Sequence, residues 1–377
     1  MRILITGGAG FIGSHTADLL RDQGHTVRIV DGLLPPVHHE QRLPEYLPGT
    51  QADFRRGDVR DKRLWQKALQ DIDVVFHLAA YQDYLPDFST FFHTNTVSTA
   101  LLYEVAVERR LPLRKVIVAS SQAVYGEGRY RCHQAECAAS GAPCYPMARD
   151  EPALAGRDWE VHCPQCGGPM QPEWTDETVV NPHNSYAISK YTQELVALNL
   201  GRRYGIPTVA MRYSIVQGPR QSFRNAYSGV LRIFTQRLLN GRPPVCYEDG
   251  EQLRDYVSVF DVARANMLVM EDPRADFLAL NVGGDRRISV RAYAELVARR
   301  LRVDLPPEIP GLYRVGDTRH IFSDTGRLKT LGWYPEVSLE EIVDGYVAWA
   351  RLQPGFGDYS AEAEARMAAL GAVRRVM

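Results

Sequence analysis

Tyr186 and Lys190 stand four residues apart at the start of a helix that the pattern predicts over 185–204, so both project from one face. An ammonium beside a phenol stabilises the phenolate and lowers the phenol's pKa toward neutrality. A tyrosine tuned this way can act as general base toward a hydroxyl while hydride leaves the same carbon. Ser120 and Ser121 close a predicted strand over 115–120 whose Val116, Ile117, Val118 and Ala119 are all apolar. A serine hydroxyl there can share the proton and orient a substrate. Y-x-x-x-K spacing alone also marks many solvated helix faces, so its meaning depends on the rest of the chain.

Near the N-terminus, Gly7, Gly10 and Gly13 follow one short apolar strand and open a helix with Phe11 and Ile12. Without Cβ atoms the backbone can turn tightly and approach a pyrophosphate, which then sits on the helix N-terminus. Asp31 ends the next strand, where a carboxylate binds ribose hydroxyls and repels a 2′-phosphate; NAD is favoured over NADP. Asp58 and Val59 lie just past a third strand. Asp58 suits the adenine amino group or, equally, a cap on a helix over 62–69. Leu78, Ala79 and Ala80 end a fourth strand, and the small alanines let backbone approach a cofactor.

Five of the six cysteines fall between 132 and 166. Cys132 with Cys137, and Cys163 with Cys166 in a C-P-x-C-G turn, have the spacing of two zinc knuckles. Four thiolates fill a tetrahedral zinc, so the expected metal is structural, in a polar loop without a core of its own. Cys144 is left over, with His133 and His162 as substitute ligands; two disulfides or free thiols are the competing reading. Cys246 reads as a small buried hydrophobe.

These residues must be positioned by a scaffold of 377 residues, whose length suggests two or three domains. The first 120 residues alternate strands over 2–6, 27–31, 73–78 and 115–120 with helices over 12–23 and 94–110, a doubly wound parallel α/β sheet. Residues 127–178 interrupt that rhythm, which resumes with the helix over 185–204 and a strand over 208–213. The expected division is a nucleotide-binding domain (1–126 and 179–217), a Cys-rich insertion (127–178) and a smaller, interleaved α/β substrate domain (218–360). The last has helices over 228–240, 290–300 and 339–350, and a helical tail over 361–377 follows. A net charge of -1 argues against a dedicated nucleic-acid binder or a basic membrane-surface protein. No apolar run reaches membrane-span length and the chain opens directly on a core strand, so a cytoplasmic protein with reduced thiols is expected.

Taken together, the chain resembles the extended short-chain dehydrogenase/reductases, specifically the NAD-dependent nucleotide-sugar epimerase/dehydratase family. The resemblance rests on Thr6-Gly7-Gly8-Ala9-Gly10-Phe11-Ile12-Gly13, Gly57-Asp58-Val59, His77-Leu78-Ala79-Ala80, Asn95, Ser120-Ser121-Gln122-Ala123-Val124-Tyr125-Gly126, Tyr186-Ala187-Ile188-Ser189-Lys190, Arg212-Tyr213, Arg254-Asp255-Tyr256-Val257 and Arg314-Val315-Gly316-Asp317. It implies a Rossmann-type fold with Tyr186 as base, Lys190 on the nicotinamide ribose and Ser121 beside Tyr186. Asn95, Ser120 and Tyr213 join the cofactor set. Arg254 and Arg314 would bind a nucleotide diphosphate, Asp317 the nucleotide ribose, and Gln82 and Gln122 would lie beside the sugar. It also implies a homodimer through the helices near 94–110 and 185–204.

Related 4,6-dehydratases place a Thr-Asp-Glu run at the catalytic strand end; here the stretch is Ser121-Gln122-Ala123, without a carboxylate. Epimerisation at sugar C4 through a 4-keto intermediate is therefore expected on a UDP- or dTDP-linked sugar. A dehydratase, a 4-keto reductase or a non-catalytic NAD-binding regulator are the alternatives. Ile215, Ile321 and the run Tyr81-Gln82-Asp83-Tyr84 depart from the family pattern beside the sugar and leave its identity open.

Overall fold

The computed structural model describes all residues except 36, 48–52, 84, 225–228, 354–355, 358 and 377. Tyr84, Ser228 and Met377, assigned above to the sugar loop, a helix start and the tail, lie outside the described residues.

The chain opens with β1 (Arg2–Thr6), α1 (Phe11–Asp22), β2 (Thr26–Asp31), β3 (Asp53–Arg56), α2 (Lys62–Ala68) and β4 (Val74–His77). A short α3 (Phe88–Phe91) passes through a π-helical turn (Phe92–Val97) into α4 (Ser98–Glu108), and β5 (Lys115–Ser121) follows. The inserted region holds β6 (Arg129–Arg131), β7 (Pro143–Cys144), α5 (Glu151–Ala155) and β8 (Gln171–Glu173). Then come α6 (Ser185–Tyr204), β9 (Thr208–Tyr213), β10 (Ile215–Gln217), α7 (Val230–Leu239), β11 (Leu253–Arg254), β12 (Tyr256–Ser258), α8 (Val259–Glu271) and β13 (Ala279–Val282). The C-terminal part adds β14 (Ile288–Ser289), α9 (Val290–Leu301), β15 (Leu312–Arg314), α10 (Gly326–Lys329), α11 (Leu339–Arg351), α12 (Ser360–Ala369) and β16 (Val373–Arg375).

Seven parallel strands form the main sheet in the order β13-β9-β5-β4-β1-β2-β3. This is the expected α/β Rossmann-type sheet. The strand order reverses at β1 and β4, with the chain winding outward from β1 to β2 and β3 on one side and from β4 to β5 and β9 on the other, and this switch point opens a crevice at their carboxyl ends. Alternate residues of β1 serve opposite faces: Ile3 and Ile5 join the core under α1 and α8, and Leu4 joins the core under α4 and α6. A third core, built on Leu231, Phe234, Tyr293, Leu296, Val343 and Tyr346, packs α7, α9 and α11 together. Residues after 218 do not all stand apart, because β13 completes the main sheet.

Three expectations need correction. The helix over 94–110 is not uniformly α-helical: it runs continuously from Phe88 to Glu108 through a π-turn over 92–97, and Asn95 sits in that turn. The inserted region is not coreless, because β7-β6-β8 form a small sheet over Tyr130, Cys132, Cys137, Val161, Cys163 and Met170. The tail is helical only to Ala369; β16 then pairs antiparallel with β15, Val373 opposite Arg314.

Lys115, 5% exposed at the start of β5, donates to the carbonyls of Val269 and Asp272 at 2.9 Å and lies 2.7 Å from the Asp276 carboxylate. It therefore satisfies the C-terminal carbonyls of α8 and ties that helix to the sheet. Lys115→Met should cost about 2–4 kcal/mol in urea unfolding, because buried acceptors lose their donor; a loss within about 0.5 kcal/mol would show that water replaces it.

Candidate functional site

The crevice holds two adjoining cavities of about 390 and 430 Å³. Phe11, Ile12, Gln82, Ser120, Tyr186, Tyr213 and Gln221 line both, so they are two lobes of one cleft.

The smaller lobe collects Gly7, Gly10, Gly13, Asp31, Asp58, Val59, Leu78, Ala79, Ala80 and Lys190. Its floor is backbone in close approach. A Cβ on Gly13 would fall 2.3 Å from the Gly7 carbonyl oxygen, and one on Gly7, whose φ is +69°, would fall 2.7 Å from the Ala79 nitrogen. Gly10 caps α1 without a side-chain hydrogen bond, which leaves the helix's first amides directed at the lobe. At the end of β2 the Asp31 carboxylate accepts from Ala9 N at 3.1 Å and Leu33 N at 2.9 Å. Asp61, not Asp58, caps α2. Asp58 is held by Arg60, whose hydrogen bonds keep its carboxyl below the usual range. These residues fit a dinucleotide with free ribose hydroxyls. Asn95 does not reach the lobe: it is fully buried, bonded to both backbone atoms of Tyr81 and to Ser189 Oγ at 2.9 Å.

The larger lobe is lined by Ser121, Gln122, Ile215, Arg254, Arg314, Asp317 and Ile321. Arg254 donates to the carbonyls of Leu253, Arg319 and Thr318 at 2.7–2.9 Å. Arg314 lies over the Tyr247 ring at 5.3 Å, and the Asp317 carboxylate is 3.7 Å from Arg314 and 4.0 Å from Arg254. Two guanidiniums flanking one carboxylate leave this lobe positive, which suits phosphate oxygens.

Between the lobes, Asn184 caps α6 by accepting from Ala187 N at 2.9 Å. This fixes the first turn, which carries Tyr186. The Ser121 hydroxyl, at the end of β5, hydrogen-bonds the Tyr186 phenol. Lys190 is 1% exposed and donates to Gln193 Oε1 at 2.8 Å. The expected tuning of Tyr186 by Lys190 is not what the fold does on its own. Burial pushes the phenol up to about 12, and burial pulls Lys190 down to about 7 against the opposing pull of Glu194.

The chain matches the model of the NAD dependent epimerase/dehydratase family over residues 3–149 and 163–283. It belongs to that family. It is 30% identical over 354 residues to a dTDP-L-rhamnose 4-epimerase of Burkholderia thailandensis, covering 92% of this chain and 94% of that one. A UDP-glucose 4-epimerase of Thermotoga maritima, solved with UDP-glucose, superposes with a TM-score of 0.74 at 30% identity over 93% of this chain and 99% of the other. The Thermus thermophilus UDP-glucose 4-epimerase, solved with NAD, gives 0.69 at 27% identity over 94% and 100%. The family is enzymatic, and this chain is an enzyme of it; Ser121, Tyr186 and Lys190 line its cleft.

Sequence reasoning missed Gln221 on both lobes, and Tyr247, Thr318 and Met367 on the larger one. Met367 had no signal, because it sits in an Ala-rich tail far along the chain.

The four cysteines also converge. Their sulfurs lie within 4.8 Å of one another; Cys132–Cys166 is 3.8 Å and Cys137–Cys163 is 3.7 Å. A disulfide needs about 2.05 Å, whereas the edge of a tetrahedron with metal–sulfur bonds of about 2.3 Å is close to 3.8 Å. The amides of Gln165 and Cys166 point at Cys163 Sγ, and Ala139 N at Cys137 Sγ, as thiolate ligands require. Cys144 packs beside the group without joining it, and His162 is engaged by Asp158 at 2.8 Å.

Burial gives Lys190 a testable signature. Its folded pKa of about 7 lies below the unfolded 10.5. The penalty for burying its charge is therefore complete below about pH 7 and fades as pH rises toward 10.5. Lys190→Met should stabilise the cofactor-stripped protein by about 2–4 kcal/mol near pH 6 and by much less near pH 10 in urea unfolding. A gain that does not change with pH would contradict the assignment.

Proposed function

We propose that the enzyme is an NAD-dependent nucleotide-sugar 4-epimerase. The observation that carries this reading is Tyr186 on the wall shared by both lobes, hydrogen-bonded to Ser121 of the larger lobe. Gly7, Gly10, Phe11, Ile12 and Gly13 would cradle the pyrophosphate, Asp31 the adenosine ribose, Asp58 and Val59 the adenine, and Lys190 the nicotinamide ribose. Leu78, Ala79, Ala80, Ser120 and Tyr213 would complete that site. When bound, NAD supplies the hydride acceptor and donor at sugar C4. Tyr186 takes the proton from the C4 hydroxyl, aided by Ser121, and returns it after the 4-keto sugar has turned its other face. Its high intrinsic pKa means that the positive charge of Lys190 and of the cofactor must act together to make it a base at neutral pH.

Arg254 and Arg314 would hold the diphosphate of a UDP- or dTDP-linked sugar, Asp317 the nucleotide ribose, and Gln82 and Gln122 the sugar. Water elimination needs an acid and a base beside the sugar. Among the described residues lining the larger lobe the carboxylate is Asp317, already flanked by the two arginines, which disfavours a dehydratase.

Cys132, Cys137, Cys163 and Cys166 would hold a structural zinc and so define 127–178 as an insertion between the two NAD-binding segments, 1–126 and 179–217, ahead of the mainly substrate-binding 218–360. Exposed Val97, Ile188 and Leu195, beside and on α6, support a homodimer face. No described helix is long and apolar enough to cross a membrane. The reduced thiols a zinc site needs fit a cytoplasmic setting.

A panel of UDP- and dTDP-sugars read by NMR should show one pair of C4 epimers interconverting. Tyr186→Phe should slow that interconversion by about 10²–10⁴-fold while NAD stays bound; undiminished turnover would sink the mechanism. Metal analysis of purified protein should find zinc, and Cys163→Ser should lose it together with much of the insertion's protection from proteolysis. Zinc-free wild-type protein with an intact insertion would exclude the metal.

A further inference from the structure

We propose that the Cys-rich insertion positions the arginines of the larger lobe through Glu127, Arg149 and Glu160, none of which touches either cavity. The inference rests on the reading that Arg254 and Arg314 bind a nucleoside diphosphate.

The residues at stake form one segment. Arg314, Asp317, Thr318 and Ile321 line the lobe, and the carbonyls of Thr318 and Arg319 hold the Arg254 guanidinium at 2.7 and 2.8 Å. Wherever the backbone of 317–320 sits, Arg254 must follow. That backbone is gripped from the insertion side. Arg149, 4% exposed along its side chain, donates to the Asp317 carbonyl at 2.9 Å. The Glu127 carboxylate accepts from Arg319 N at 2.7 Å, and His320 N donates to Tyr130 Oη at 3.2 Å. Glu160, next to the Cys163 turn, accepts from the Arg319 guanidinium and lies 3.3 Å from His320 Nε2.

A second arm reaches Arg314. The Arg149 guanidinium forms a two-pronged pair with Glu248 at 2.9 and 3.0 Å while donating to the Trp159 carbonyl at 2.9 Å. Glu248 is the chain neighbour of Tyr247, the ring on which Arg314 rests. One buried guanidinium of the insertion is thus bonded on both sides of the diphosphate clamp. Bidentate geometry constrains direction as well as distance, so these contacts fix where the clamp points.

A merely structural ion-pair network would lose stability and both ligands together when broken. A positioning network should lose the nucleotide alone. Full-length, NAD-loaded protein is titrated calorimetrically with UDP and with dTDP, and NAD content and melting temperature are recorded. Glu160→Gln and Arg149→Met should weaken the preferred nucleotide by about tenfold, the scale on which outer partners tune a binding group. NAD content should not change, and Glu160→Gln should melt as the wild type does. Should Arg149→Met fail to fold, Glu160→Gln decides alone, since its carboxylate is 41% exposed. Wild-type nucleotide affinity in the folded variants overturns the proposal, as does a parallel loss of NAD. A wild-type protein that binds neither nucleotide overturns instead the reading of the cavity on which the proposal rests.

Discussion

A cation with almost no access to water is the constraint around which the core of this enzyme is arranged. Lys190 lies between α6 and the sheet, and a charge taken out of water must be met by oriented polar groups or surrendered. Gln193 accepts from it, and Gln193 is itself fixed by Thr99 Oγ1 at 3.1 Å. Glu194, one residue on, is bonded to Ser120 Oγ and paired with Arg212 at 2.7 Å. Arg212 donates to Tyr125 Oη, Tyr125 donates to Asn281, and Asn281 grips the carbonyls of Thr175 and Asp324. On the other side His77, held neutral by burial and by the same ammonium, links Thr6 to Ser98. The strand ends that build the cleft are thus tied by three polar groups, nearly all of whose members are buried, gathered around Lys190.

On the proposed reading the two lobes would bind phosphate in different ways. The cofactor lobe uses bare backbone, with Gly7 and Gly13 packed so closely that no side chain fits. A helix N-terminus then supplies the positive end. The larger lobe uses full charges, Arg254 and Arg314, which need anchoring because a long flexible cation otherwise loses entropy on binding. Carbonyls, the Tyr247 ring and Asp317 provide that anchoring. The net charge of -1 hides this local concentration of positive charge.

Strand positions were legible because each buried parallel strand is a short apolar run, and the Gly, Ser, Tyr and Lys motifs fall where those strands and helices begin or end. The helix expected over 185–204 is observed with those bounds, Asn184 capping its first turn. What the residue pattern could not carry was non-local. The π-turn that buries Asn95 depends on its bonds to Tyr81 and Ser189. The antiparallel return of 373–375 onto Arg314 has no periodic signal in three residues. The four-residue spacing of Tyr186 and Lys190 likewise says nothing of burial, which pushes the phenol up in the cofactor-free fold. In the insertion, cysteine spacing was readable, but nothing local in the sequence carries the bonds that Arg149 and Glu160 make to residues about 100 and 160 positions away.

The central claim is that hydride leaves C4 of a nucleotide-linked sugar and returns to that same carbon while Tyr186 carries the proton. Its most direct test uses the nucleotide sugar that the enzyme turns over, labelled with deuterium at C4, in ordinary water, with the product analysed by NMR and mass spectrometry. The account predicts a C4-inverted product that keeps its deuterium, with no net change in NADH absorbance. Loss of the label to solvent, a product lighter by one water, or stoichiometric accumulation of NADH would contradict it.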